Sequence, residues 1–179
     1  LDYSQLDGLS LAIGTILANS LNKVTQDKVG IKWPNDLLIK NKKISGILIE
    51  TININNKIGV VIGIGINVHM SEEEGKEIDQ SWVALDEVTN SKNNRNEIIG
   101  DIVNKVFQLT SVFADEGFKH YKIDYESLDV LTGKECNINI EGVDKTVEVL
   151  GVNDKGEILV KDGSENLTLR YGEVSIREL

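Results

Sequence analysis

The chain has 179 residues, enough for one domain or one plus a small appendage, and 40% of them are hydrophobic, enough for a sizeable core. With 19 basic and 29 acidic residues its formal net charge is -10, a balance opposed to a nucleic-acid-binding role. The single cysteine, Cys136, excludes an intrachain disulfide and any Cys-rich metal site. Residues 4–23 are predicted to form an amphipathic helix: Leu6, Leu9, Ile13, Ile16, Leu17 and Leu21 recur at helical spacing, with Ser4 as N-cap. Val29 to Lys32 is a short strand, ended by Trp33, which precedes Pro34 and is biased to extended geometry. Leu37 to Ile39, Ile44 to Ile54 and Lys57 to Val68 are three further strands, joined by tight turns at Asn41-Lys42 and Asn55-Asn56.

Residues 70–81 are acidic and polar and are expected to form a long mobile loop. Trp82 to Val88 is expected to be a short helix. Glu97 to Ala114 is a second amphipathic helix, with Ile98, Ile99, Ile102, Val106, Leu109 and Phe113 as its buried stripe, and Phe118 to Leu128 a third. From residue 130 the pattern changes to short strands separated by Gly- and Asp-bearing turns at Glu141-Gly142, Asn153 to Gly156 and Asp162-Gly163. Five strands in so short a span predict a small β-barrel. The expected division is therefore 1–129 and 130–179. The longest apolar run, Ile58 to Ile66, is short for a membrane span, and no signal-peptide pattern opens the chain, so a cytoplasmic protein is expected. The first residue is Leu rather than Met, which suggests that the natural chain begins upstream.

Two features carry chemistry. Residues 32–43 hold Lys32, Lys40, Lys42 and Lys43 against Asp36 alone, a +3 island in a chain of net charge -10. Such an island suits a small anionic ligand, although Lys40 and Lys42 also read as a solvated turn. The second feature is the hairpin. A two-residue turn at Asn55-Asn56 sets Ile49 against Ile62, Ile47 against Ile64, Leu48 against Gly63 and Gly46 against Gly65. Side chains alternate faces along a strand, so one face is branched aliphatic and should pack under a helix. The other is nearly bare, a shelf where a ligand can approach the backbone, with Asn67 at its end. The alternative is that Gly63 and Gly65 only permit close helix packing. A dinucleotide-binding turn fits poorly, because position 68 is Val.

These segments resemble the biotin protein ligases. That family carries Lys-Trp-Pro-Asn-Asp, here Lys32 to Asp36, then Lys-x-x-Gly-Ile-Leu-x-Glu, here Lys43 to Glu50, then Gly-x-Gly-x-Asn, here Gly63 to Asn67. The resemblance implies an α+β fold, a mixed β-sheet packed by helices on one face as in class II aminoacyl-tRNA synthetases and biotin ligases, followed by the small C-terminal β-barrel. It implies ATP-dependent formation of biotinyl-5'-adenylate and transfer of biotin to one lysine of a biotin carboxyl carrier protein. Biotin and ATP are then substrates, Mg²⁺ accompanies ATP, and a homodimer is possible, with no nucleic-acid contact and no membrane.

By motif, Gly46, Leu48, Gly63 and Gly65 would line biotin, and Lys43 would sit at its carboxylate and the α-phosphate. Lys32, Asn35 and Asn67 would contact phosphate and adenosine, Asp36 would orient or deprotonate the acceptor lysine, and Trp82 would close over the adenylate. Each has a plainer alternative: Trp33 as core, Asp36 as a turn or cap residue, Trp82 as a helix anchor. His69 and His120 have no partner at metal-ligand spacing, and no protein metal site is expected. The family's Gly-Arg-Gly-Arg loop lies upstream of the first helix, and here no arginine precedes Arg95. This chain alone is therefore expected to be poorly active. A non-catalytic binding module of the same fold and a lipoate-protein ligase are the alternatives.

Overall fold

A computed structural model of the chain describes residues 3–55, 57–71, 73–77, 80–140, 142–170 and 174–178. The first helix, α1, spans Leu9–Leu21 and follows a separate 3-10 turn, Tyr3–Leu6. The predicted helix from residue 4 is broken at Gly8, which adopts φ 76 and caps α1 in place of Ser4. A Cβ at Gly8 would lie 2.5 Å from the Phe118 Cβ, so only glycine lets the chain turn there. Ten of the thirteen α1 residues are buried, which makes it a helix covered on most sides rather than on one stripe.

Beneath α1 lies a four-stranded sheet: β1 (Val29–Lys32), β2 (Asp36–Ile39), β3 (Lys42–Ile54) and β4 (Lys57–Ile66), in the order β1-β2-β3-β4. All three ladders are antiparallel. The expectation of a mixed sheet is corrected: parallel pairing among the described residues is confined to two isolated bridges, Ile31 with Asp129 and Lys43 with Trp82. The first tight turn is also shifted by one residue. Lys40 and Asn41, at φ 49 and 63, occupy it, and Ile39 pairs with Lys42. Two successive positive φ values match the twist of the flanking strands, which a turn of opposite hand would splay.

The second hairpin follows the expected register. Ile54 pairs with Lys57, and the ladder continues through Ile49 with Ile62, Leu48 with Gly63, Ile47 with Ile64 and Gly46 with Gly65. Asn55 has φ 49; Asn56 lies outside the described residues. The aliphatic face does pack under a helix: a Cβ on Gly14 of α1 would meet Ile47 Cδ1 at 3.6 Å and Ile31 Cγ2 at 3.7 Å.

Beyond β4, a 3-10 turn at Glu74–Glu77 interrupts the expected loop; residues 72, 78 and 79 lie outside the described set. The next helix, α2, is Leu85–Thr89, shorter than the predicted Trp82 to Val88. The reason is that the main chain of 81–83 pairs with the start of β3: Lys43 N donates to Ser81 O at 2.8 Å and Val83 N to Lys43 O at 2.9 Å. Helix α3 runs Arg95–Glu116, with the Asn94 side chain accepting from Asn96 N as its N-cap. It buries Ile102, Leu109 and Phe113, while Ile99, assigned to the stripe, is 57% exposed because it lies one position around the helix from Ile98. A 3-10 turn, Phe118–Tyr121, leads into α4, Lys122–Leu128.

The remaining strands are β5 (Glu135–Ile140), β6 (Val143–Val152), β7 (Ile158–Asp162), β8 (Glu165–Leu169) and β9 (Val174–Glu178). They form one antiparallel sheet ordered β8-β7-β6-β5-β9. The five strands match the expectation; the closed barrel does not. Closure needs a ladder between β8 and β9, and none forms among the described residues. This sheet meets the first through Trp33, whose buried indole Nε1 donates to Gly156 O at 3.0 Å. Of the two readings of Trp33, the structure supports core.

Candidate active site

The open face of the β3–β4 hairpin is built by glycine. Gly46 faces Gly65 and Leu48 faces Gly63. A Cβ on Gly65 would find no atom nearer than Gly46 O at 3.9 Å, and Gly63 and Gly65 are exposed. Leu48 is 53% exposed whereas Ile47, one residue earlier on the other face, is 2% exposed. The pleat thus separates a packed face from a bare one, as the turn predicts.

Charge is concentrated at one end of this shelf. Lys43 Nζ lies 2.6 Å from Asp36 Oδ1, with side-chain exposures of 26% and 15%. Asp36 pairs across β2–β3 with Gly46, and both head groups stand over that glycine. A Cβ there would lie 3.1 Å from Lys43 Cε, 3.2 Å from Nζ and 3.4 Å from Asp36 Oδ1. Lys32 is opposite Asp36 in the β1–β2 ladder but forms no ion pair with it among the described residues.

The two amides of the motif hold backbone. Asn35 O accepts from Ile47 N at 3.0 Å and its Nδ2 donates to Ile47 O at 2.8 Å, so it grips both sides of one β3 residue. Asn67 Nδ2 donates to Lys43 O at 3.2 Å and to Val83 O at 3.4 Å, and Asn67 O accepts from Leu85 N at 2.7 Å. Asn67 therefore ties the end of β4 to Lys43 and to the entry of α2. Trp82 sits beside Lys43 through their bridge, half-buried, and its Nε1 donates to Gly75 O at 3.2 Å. A Cβ on Gly75 would lie 1.9 Å from the indole Cζ2, so the 3-10 turn rests directly on the ring. That turn is fixed at its start by Glu74, whose carboxyl is held below its usual range by the Ser71 backbone N–H and hydroxyl.

Sequence reading missed a second polar cluster. His69 Nδ1 lies 2.5 Å from Asp86 Oδ2, and Asp86 Oδ1 accepts from Asn93 N and Nδ2 at 2.8 and 2.9 Å. Burial opposes the Asp86 charge, yet the Asn93 side chain and backbone, with His69, outweigh it and hold the carboxyl at about 2. Seventeen residues separate His69 from Asp86, so no local spacing could reveal the pair. Ser45 was also missed: buried, with Oγ donating to Gly65 O at 2.7 Å, it braces the shelf from below. His120 pairs with Glu116 one helical turn away at 2.8 Å. Among the described residues no group of three or more His, Cys, Asp or Glu could hold a metal. A cavity of ≈ 290 Å³ lies behind the sheet, between Gly8, Trp33, Pro34, Ile47, Ile49 and Gly156. It is on the packed face, away from the convergent polar groups, and does not belong to this site.

The model of the Biotin/lipoate A/B protein ligase family matches residues 3–67, which include all of β1 to β4. The chain is 31% identical over 171 residues to the Bifunctional ligase/repressor BirA of Escherichia coli, covering 95% of this chain and 53% of that protein. It superimposes on the crystal structure of a biotin protein ligase from Aquifex aeolicus with TM-score 0.84 at 28% identity, over 99% of this chain and 77% of that one. Family model, relative and solved structure together support a biotin protein ligase. A second Aquifex aeolicus structure, of the biotin protein ligase in complex with biotin and ATP, matches with TM-score 0.83 at 29% identity, over 97% of this chain and 72% of that one. The chain spans about half the length of the curated relatives it matches, such as the Escherichia coli protein at 53%. In biotin protein ligase terms, the three motif segments meet at one end of one sheet: Asp36, Lys43, Gly46, Gly65 and Asn67 are adjoining, with Trp82 beside them.

Proposed function

We propose that this chain is the part of a biotin protein ligase that joins biotin to ATP as biotinyl-5'-adenylate and passes biotin to a lysine of a biotin carboxyl carrier protein. The observation that carries the reading is the Lys43–Asp36 pair, 2.6 Å apart, at the edge of a bare glycine shelf. Biotin lies on Gly46, Leu48, Gly63 and Gly65, where its slender ring system needs only backbone and one aliphatic side chain. Lys43 takes the biotin carboxylate and then the α-phosphate, stabilising the charge that develops as pyrophosphate leaves. Lys32, which has no ion pair among the described residues, faces phosphate. Asn35 and Asn67 contribute by holding Ile47 and Lys43 in place as well as by contact with the nucleotide.

In transfer, the carrier lysine amine attacks the acyl carbon. The N–C bond forms, the bond to the phosphate oxygen breaks with its electron pair leaving on AMP, and Asp36 accepts the amine proton. Trp82 and the turn at Glu74–Glu77 close over the adenylate. Mg²⁺ enters on the phosphates of ATP, held mostly by phosphate oxygens and water.

The same reading takes residues 1–129 as the catalytic unit and 130–179 as a small appended domain. It places the reaction in the cytoplasm; no helix among the described residues is long and apolar enough to cross a membrane. It assigns no nucleic-acid contact to this chain, in keeping with the net charge of -10. A homodimer belongs to the proposal, supported by the exposed apolar hairpin tip of Ile52, Ile54 and Val61, 46, 52 and 46% exposed. The test is incorporation of labelled biotin into a carrier domain with ATP and Mg²⁺. Failure to bind either biotin or a biotinyl-adenylate mimic refutes the reading.

A further inference from the structure

Lys43 and Asp36 serve different steps in the reaction above, yet in the ligand-free chain they hold each other at 2.6 Å. Among the described residues no other acid pairs with Lys43. The two head groups stand over Gly46, on ground that a shelf-bound ligand has to occupy. The main chain of Lys43 is fixed: its N–H donates to Ser81 O, and its carbonyl accepts from Val83 N and Asn67 Nδ2. Only the Lys43 side chain, 26% exposed, and the Asp36 carboxylate can give way.

A carboxylate or phosphate that reaches Lys43 on the shelf therefore competes with Asp36 for the ammonium. Resting on the ligase reading, we infer that Asp36 is an internal substitute for the ligand's anion, an autoinhibitory contact that the ligand itself releases. Before ligand arrives, Asp36 Oδ1 is already engaged by Lys43. Once the biotin carboxylate or the acyl phosphate neutralises Lys43, Asp36 loses its partner beside the reacting carbon. The proton acceptor for transfer thus becomes available only when there is an acyl group to transfer. This arrangement couples the two half-reactions through one ammonium group, with no movement of backbone. A carrier lysine that docks early meets a carboxylate already engaged.

The test is a double-mutant cycle on Asp36 and Lys43, read by calorimetric binding of biotin and of a non-hydrolysable biotinyl-adenylate mimic. Asp36→Asn should tighten binding by roughly 5-fold, the scale of one ion pair that no longer has to be broken. In a Lys43→Ala background the same substitution should change nothing, because the contact is already gone. Transfer to the carrier should fall in Asp36→Asn, and Asp36→Glu should restore the original affinity. Asp36→Ser repeats the cycle if the amide is not accommodated. Unchanged or weaker binding in Asp36→Asn overturns the inference and leaves the ligase reading standing. Equal effects in both Lys43 backgrounds also overturn it, by showing that Asp36 acts through something other than Lys43. No binding of the mimic by the unsubstituted chain overturns the ligase reading, and the inference with it.

Discussion

The side-chain amide of Asn67 donates to the carbonyl of Lys43 at 3.2 Å, across 24 residues of sequence. The residue that ends the glycine row thereby sets the backbone of the residue that carries the charge. Asn67→Ala removes donors to both Lys43 O and Val83 O. It should lower stability by about 1 kcal/mol and reduce biotin activation, since the ammonium is no longer aimed. Urea titration and pyrophosphate release measure the two effects. Full activity with lowered stability would make Asn67 a purely structural residue.

Gly65→Val should leave the fold intact and abolish biotin binding. The nearest atom to a Cβ at this position is 3.9 Å away, so the branched side chain meets open space in the free protein. A stability change within about 0.5 kcal/mol is expected, the range for surface positions. Thermal melts and calorimetric titration with biotin check both halves, and retained affinity would argue against the shelf.

In the full-length protein, Lys43→Ala should slow adenylation on the order of 10²–10³-fold, the usual effect of removing a donor aimed at developing charge. Lys43 enters β3 through its backbone pairs with Ser81 and Val83, which the substitution keeps. Circular dichroism should therefore be unchanged. A rate within a few-fold of the original would remove Lys43 from the chemistry.

Trp82→Phe keeps an aromatic face under Gly75 but loses the indole N–H that donates to Gly75 O. Loss of that bond, worth about 1 kcal/mol, should speed amide exchange in residues 73–77. A biotinyl-adenylate mimic should slow exchange there in the unsubstituted protein. Protection that is the same with and without the mimic would deny the segment a closing role.

Acid should weaken the His69–Asp86 clasp in a defined window. The Asp86 carboxyl is lowered from 3.8 to about 2 in the folded chain, so over that range the unfolded chain binds the extra proton. The contribution of the charge is complete above about pH 4 and is lost as pH falls through about 2. Relative to Asp86→Asn, the native chain should be more stable at neutral pH, with the difference shrinking toward pH 2. A difference independent of pH would show that the amide substitutes fully for the carboxylate.

Local rules accounted for the hairpin and therefore for the register of the candidate site's glycines. One two-residue turn sets ten pairs of β3 and β4, and with them which glycines meet. The same rules failed where distant chain intervenes. Trp82 has helix-compatible neighbours, but its segment is drawn into extended pairing by Lys43, thirty-nine residues earlier in the sequence. Gly8 stands within a helical pattern, yet Phe118 crowds it from beyond α3. The β2–β3 turn moved by one residue because Lys40 adopts positive φ beside Asn41, where the sequence pattern assigns the turn to Asn41 and Lys42. The ion pair of Asp36 with Lys43 joins two residues already proposed for the site, but it sits beside a register shift, Leu37 pairing with Ser45 and Leu38 with Lys43, that alternation does not reveal.

The anchoring of the Lys43 main chain has a kinetic meaning. Its amide and carbonyl are both occupied by neighbours on two other segments, 81–83 and Asn67. What can move is a run of single bonds ending in an ammonium. Rotamer hops of that kind take picoseconds to nanoseconds, whereas rearranging a strand takes microseconds or longer. In the proposed reaction, exchange of Lys43 between an internal and an external anion is thus far faster than any rearrangement of the strand that carries it.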